Sequence, residues 1–179
     1  MNFRNINVII EPPHFFSWKK QSIQVDGSPM FEVRRSLRFF SIVNEVHDSH
    51  ARKMVFRVIR PKLHKSEYKV ETANVVYTLR RISYWQWECC SENDKLYINR
   101  LGGTKCVLSK QGRQMAIMSL NTNLPFVEDR NTYIRVNNEK YLYLSVAAAL
   151  ILKGSGINLN SLLPEQHKLS PIRSVKLAR

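Results

Sequence analysis

The run Tyr141-Leu-Tyr-Leu-Ser-Val-Ala-Ala-Ala-Leu-Ile-Leu152 is apolar on every face of a helix, near the end of a chain that otherwise reads as β-strands. A helix without a polar face must be surrounded, by protein or by lipid. A dozen residues fall short of the ~20 needed to span a bilayer. Enclosure by protein is the expected outcome, and a sheet is the only material the chain offers for it. At a 1.5 Å rise, the run is roughly 18 Å long, about the height of a short barrel.

The strands are short and recur roughly every 8–12 residues, as in sandwiches and barrels. Ser22–Asp26 alternates, Gly27-Ser28-Pro29 breaks it, and Met30–Arg34 resumes it as a hairpin. Lys53–Arg60 is strand-like, with Met54, Phe56 and Val58 on one face, and Glu67–Glu71 places Tyr68 and Val70 inward. Val75–Ile82, Tyr84–Glu88, Lys95–Asn99, Lys105–Leu108, Gln114–Leu120 and Thr132–Val136 continue the series. A turn followed by an alternating strand recurs at Asp26-Gly27 and Gln111-Gly112-Arg113, either through weak duplication or because hairpins look alike. Asn137-Asn138 offers a helix cap, and Lys153-Gly154-Ser155-Gly156 a stop. The expected organisation is a lead-in over 1–14, a barrel over 15–153 with its central helix near 139–153, and a basic tail over 154–179.

Charge bears on partners rather than on fold. The formal net charge is +14 over 179 residues. Nine Lys or Arg fall between Arg34 and Lys65, against Glu45 and Asp48 alone. Arg34, Arg38, Lys53, Arg57, Arg60 and Lys62 are the candidate anion-binding residues. On a rigid sheet, clustered cations suit a phosphate headgroup, because Arg grips phosphate oxygens bidentately. A solvated basic wall with no ligand is the bland alternative. Nucleic acid is the other possible partner: the charge supplies a salt-dependent phosphate term, and Tyr84, Trp85 and Trp87 would stack bases if exposed. Alternation places Trp85 and Trp87 on one face, expected to be the core.

Three cysteines, with Cys89 and Cys90 adjacent, make no disulfide framework, and a reducing cytoplasmic setting is expected. The first ten residues do not read as a secretory leader, and peripheral membrane attachment is the variant of that setting. His47-Asp48-Ser49-His50 reads as a polar turn rather than a metal site. Leu101-Gly-Gly-Thr-Lys105 lacks Walker spacing. No cofactor, metal, catalytic set or small-molecule substrate is evident, and the chain is read as non-enzymatic.

Three stretches carry a family likeness: Ser22–Arg34; Leu37–Ile42 through Phe56–Ile59; and Gly112–Ile117, Asp129–Val136 and the apolar helix. In that order they resemble the LURP-one-related proteins of the tubby C-terminal-domain-like superfamily, which also takes in phospholipid scramblases. The likeness spans about residues 15–153. It implies a closed, mostly antiparallel barrel of about twelve strands around a central C-terminal hydrophobic helix. It also implies a binding or scaffold module for anionic surfaces such as phosphoinositide-bearing membrane. The Tyr84-Trp85-Gln86-Trp87 stretch and the tail after Gly156 depart from the family pattern. The rival expectations are a nucleic-acid-associated basic protein and a scramblase-like lipid-handling protein.

Overall fold

Two-residue turns of one kind join Val25 to Ser28 and Lys110 to Arg113. Asp26 and Gly27 have φ of 47° and 82°, and Gln111 and Gly112 have 49° and 75°. Two successive positive φ values match the twist of paired strands, which is why Asx-Gly or similar pairs occur there. The computed structural model describes residues 5–12, 20–38, 41–60, 67–102, 104–120 and 130–154.

Among these described residues twelve strands follow in order. They are β1 (Ile6–Ile10), β2 (Lys20–Val25), β3 (Ser28–Arg38), β4 (Ser41–Asp48), β5 (Met54–Arg60) and β6 (Glu67–Thr72). The second half is β7 (Val76–Arg81), β8 (Gln86–Cys90), β9 (Lys95–Gly102), β10 (Lys105–Lys110), β11 (Arg113–Leu120) and β12 (Thr132–Val136). Each pairs antiparallel with its sequence neighbours, and β1 pairs with both β2 and β12, closing the barrel. Closure removes the free strand edges that invite aggregation.

The lead-in expected over 1–14 is therefore corrected. Ile6–Ile10 is a barrel strand, with Ile6 opposite Val136 and Ile10 opposite both Thr132 and Ile23. Its inward residues Ile6, Val8 and Ile10 are buried, and Asn7 faces out. The alternation is legible in the sequence, but only five residues long, and nine residues rather than a tight turn separate it from its partner β2. Its other partner, β12, lies more than 120 residues away.

After β12 a short 3-10 turn (Glu139–Tyr141) leads into α1 (Leu142–Gly154). Asn138 caps the turn, its side-chain oxygen accepting from the Lys140 amide at 3.0 Å. Every residue from Leu144 to Leu152 is buried. The helix touches β5 and β6 on one side and β11 and β12 on the other. These pairs are opposite walls of the ring, so the helix occupies the barrel interior. Ala147, Ala148 and Ala149 are fully buried, and their small side chains let the backbone pass between the walls. Ser145, the one polar residue in this run, is satisfied within the helix, its hydroxyl donating to the Tyr141 carbonyl at 2.7 Å. Thirteen residues give a helix of about 20 Å. Among the described residues no helix is long and apolar enough to cross a membrane.

The antiparallel order sorts the loops into two sets. The near end, where α1 begins, carries the β2–β3, β4–β5, β6–β7, β8–β9 and β10–β11 turns. The far end, where α1 finishes, carries the β7–β8 and β9–β10 turns. Lys153 at the helix terminus donates to the Arg130 carbonyl ahead of β12 at 3.0 Å, fixing the helix at the far end.

At the near end a clasp holds the helix start. Asp94, buried in the β8–β9 turn, pairs with Lys110 of β10 and, at 3.0 Å, with Lys140 of the 3-10 turn. Lys110, then Lys140, hold its carboxyl below the usual carboxylate range. A group with a depressed folded pKa contributes stability that is full above its unfolded value of about 3.9 and is lost as pH falls through the folded one. Asp94→Asn is expected to lower Tm by about 4–8 °C at pH 7, corresponding to about 2 kcal/mol. The gap to wild type should stay constant above about pH 5 and close below about pH 4. Thermal melts from pH 3 to 7 check this, and a gap that widens in acid would refute the clasp.

Candidate functional site

The six sequence candidates do not form one patch. Arg34 on β3 and Arg57 on β5 lie on the outer wall, because Val33, Phe56 and Val58 beside them turn inward. Register then interleaves them with carboxylates: Arg34 stands opposite Glu45, Glu45 opposite Arg57, and Arg57 opposite Glu71. Arg57 Nε meets Glu71 Oε2 at 2.5 Å, and Arg34 Nε meets Glu32 Oε1 at 2.9 Å. Farther round the wall, Glu88 lies between Arg80 at 3.3 Å and Lys95 at 2.7 Å. These contacts hold the Glu88 carboxyl below its ordinary value, the Lys95 hydrogen bond being the largest cause. The wall therefore pairs many of its cations, and exposed pairs of this kind contribute little stability.

Arg60 belongs to the other face of β5. It alternates with Phe56 and Val58 and reaches the inner far end, its guanidinium 5.6 Å from the centre of the Tyr68 ring. Together with Arg35 it lines a small void beside Leu150 and Ile151 of α1. Arg35 Nε donates to Asn44 Oδ1 at 3.1 Å. Two guanidinium groups and Lys153 thus surround the helix C-terminus, where cations complement the negative end of the dipole. Lys53 sits in the β4–β5 turn at the near end, the full length of β5 away from Arg60. Arg38 ends β3 at the far end, its side chain outside the described residues, and Lys62 lies outside them altogether.

A different set does come together at the far end. Ile82 and Trp85 in the β7–β8 turn and Leu101 at the end of β9 are each at least half exposed. The Arg100 amide donates to the Trp85 carbonyl at 2.8 Å, tying the two elements. Tyr84 lies beneath them, its ring 4.9 Å from that of Trp85 in an edge arrangement. The Arg100 guanidinium is 4.9 Å from the Tyr84 ring centre and that of Arg81 is 5.6 Å away. Such cation–π contacts orient guanidinium groups without neutralising them. Arg81 Nε donates to the Ser83 carbonyl at 3.2 Å, and Lys105 follows on β10, exposed. No carboxylate pairs with Arg81, Arg100 or Lys105 among the described residues.

This set corrects the expectation that Trp85 and Trp87 share a buried face. Trp87 is 5% exposed and packs on Tyr68, whereas Trp85 is 55% exposed. β8 begins only at Gln86, so strand alternation does not reach Trp85. The available signal was Ser83, whose hydroxyl accepts from the Trp85 amide at 3.2 Å and stabilises the turn. Cys89 is buried, Cys90 half-buried and both are free, as adjacent strand positions dictate. Burial pushes the Cys89 thiol far above its ordinary pKa, which suppresses thiolate chemistry there.

Fold and surface together define a β-barrel protein filled by one helix, with exposed Trp85 gathered beside Arg81, Arg100 and Lys105 at the end where that helix finishes. No protein-family model matches the chain, and neither the curated proteins nor the solved structures include a match.

Proposed function

We propose that this chain is a non-enzymatic binding module whose far end docks on anionic membrane surfaces, phosphoinositide-bearing ones among them. The observation that carries this reading is the conjunction of exposed Ile82, Trp85 and Leu101 with Arg81, Arg100 and Lys105 on one rim. Tryptophan favours the headgroup level of a bilayer, where its ring is half wet. Each cation near an anionic leaflet contributes about 1 kcal/mol. Three of them, with a few shallowly inserted apolar side chains, give weak, reversible attachment that salt weakens. The likeness to tubby-like and LURP-one-related proteins supports the same reading, and membership of that superfamily is part of the proposal. So is a cytoplasmic setting, which the three free cysteines favour.

Nucleic acid is the second reading, favoured by one observation: Trp85 offers an open ring for stacking beside two arginines. Vesicle co-sedimentation at ~150 mM salt separates the two. Binding should rise from neutral to phosphatidylserine to phosphoinositide vesicles and survive an oligonucleotide competitor. Trp85→Ala with Arg81→Gln should reduce it at least ten-fold without changing Tm, whereas Arg34→Gln with Arg57→Gln should leave it intact. Undiminished binding by the Trp85/Arg81 variant would overturn the far-end assignment. Complete displacement by the oligonucleotide would favour nucleic acid.

A further inference from the structure

The near end carries a second site, independent of the far-end rim. A cavity of about 430 Å³ opens beside the start of α1, within the range of small-molecule sites. Met54, Val75 and Tyr143 line it and are exposed, Leu144 of the helix is buried beneath, and Thr72 and Ala73 complete its outer side. Three large apolar side chains exposed around one concavity is an arrangement that monomeric surfaces rarely leave without use.

The walls are held in place. The Tyr143 ring lies 6.0 Å from Phe31 and 5.6 Å from Phe56, both buried, so the first turn of α1 is anchored to β3 and β5. The β6–β7 turn is fixed by reciprocal bonds, Thr72 Oγ1 to the Val75 carbonyl at 2.8 Å and the Val75 amide to Thr72 Oγ1 at 3.0 Å. A preformed apolar pocket binds without the cost of ordering its own walls.

Charges at the mouth select the ligand. Asp48 Oδ1 accepts from the His50 and Ala51 amides at 2.8 and 2.7 Å; these bonds, that of Ala51 most, lower its pKa and keep the carboxylate charged. Lys140 is committed to Asp94. Lys53 is exposed on the rim, and among the described residues its ammonium has no side-chain partner. With Asp48 and Asp94 counted against Lys53, Lys110 and Lys140, the mouth keeps one positive charge in excess, and Lys53 is the ammonium without a carboxylate partner among the described residues, above an apolar floor. The geometry points to a binding site for a small anionic amphiphile, an apolar chain ending in one carboxylate or comparable anion, taken up as a monomer from solution. The chain lies against Met54, Val75 and Tyr143, and the anion meets Lys53.

Isothermal titration of the intact chain with octanoate, 1-octanol and octyltrimethylammonium at ~150 mM salt tests this. The expected result is one-to-one binding of octanoate, weaker binding of octanol and weakest binding of the cation. Lys53→Gln should weaken octanoate roughly five- to ten-fold and leave octanol unchanged. Val75→Trp sits on an exposed turn, so the barrel should keep its Tm, and its indole should fill the cavity and abolish both. Three results would each overturn the assignment: no binding at millimolar octanoate, octanoate binding that Val75→Trp leaves intact, or equal loss of octanol in Lys53→Gln. Because the Trp85/Arg81 variant lies at the opposite end, it should bind octanoate normally whether or not the membrane reading holds.

Discussion

Ala148→Glu should abolish cooperative folding. Ala148 is fully buried at the middle of a helix that touches opposite walls of the barrel. A glutamate there would place a carboxylate inside the buried apolar core, at a cost of several kcal/mol unless it is protonated. Protonation would not rescue it, because the added atoms still have to displace a wall packed at crystal-like density. The expected observations are loss of the thermal transition in circular dichroism and elution as aggregate. Ala148→Leu gives a graded companion: overpacking should cost about 1–3 kcal/mol, so the variant should fold with a Tm lowered by roughly 2–12 °C. A soluble, monomeric Ala148→Glu chain with a sharp melt near the wild-type Tm would overturn the enclosed helix.

Removal of Ile6–Ile10 should be nearly as severe. β1 is the closing strand, bonded to β12 over five register positions and to β2 over three. Without it two strands face each other across a gap, each with an unpaired row of N–H and C=O groups. Buried Val25, Ile134 and Val136 would meet water, together with the flank of α1 behind them. The deletion variant is expected to elute as oligomer or aggregate, and a peptide spanning residues 5–12 added in excess should restore the monomer and raise the melting temperature. Normal elution and an unchanged melt without the peptide would show that the barrel does not depend on β1 for closure.

Both outcomes trace back to features with different visibility in the chain. Alternation over Phe56–Val58 and Tyr68–Val70 is local, and each inward residue lies where its parity puts it. Turn chemistry at Asp26-Gly27 and Gln111-Gly112 is equally local, because positive φ is a property of the residues themselves. β1 carries the same parity, yet its partner in β12 becomes a neighbour only when the ring closes. Trp85 misleads for the opposite reason: it continues an alternating pattern in sequence one residue before the strand that would justify it.

The candidate cations show the limit most directly. Arg34, Arg57 and Arg60 lie in one basic stretch of sequence, but parity sends Arg57 outward and Arg60 inward. Register delivers Glu71 to Arg57, whereas Arg34 pairs with Glu32 two residues back on its own strand. Arg81 and Arg100 come from strands two apart and meet on the Tyr84 ring, a pairing that no local pattern announces.

By itself, then, the chain determined its strand parity, its tight turns and the enclosure of its helix. Those follow from short-range stereochemistry and from the cost of exposing an all-apolar surface. Only the tertiary structure decided which charges stay uncompensated and where exposed aromatic and apolar side chains gather. Electrostatic and solvation free energies depend on distances through space, and the folded barrel brings together residues that lie far apart along the chain.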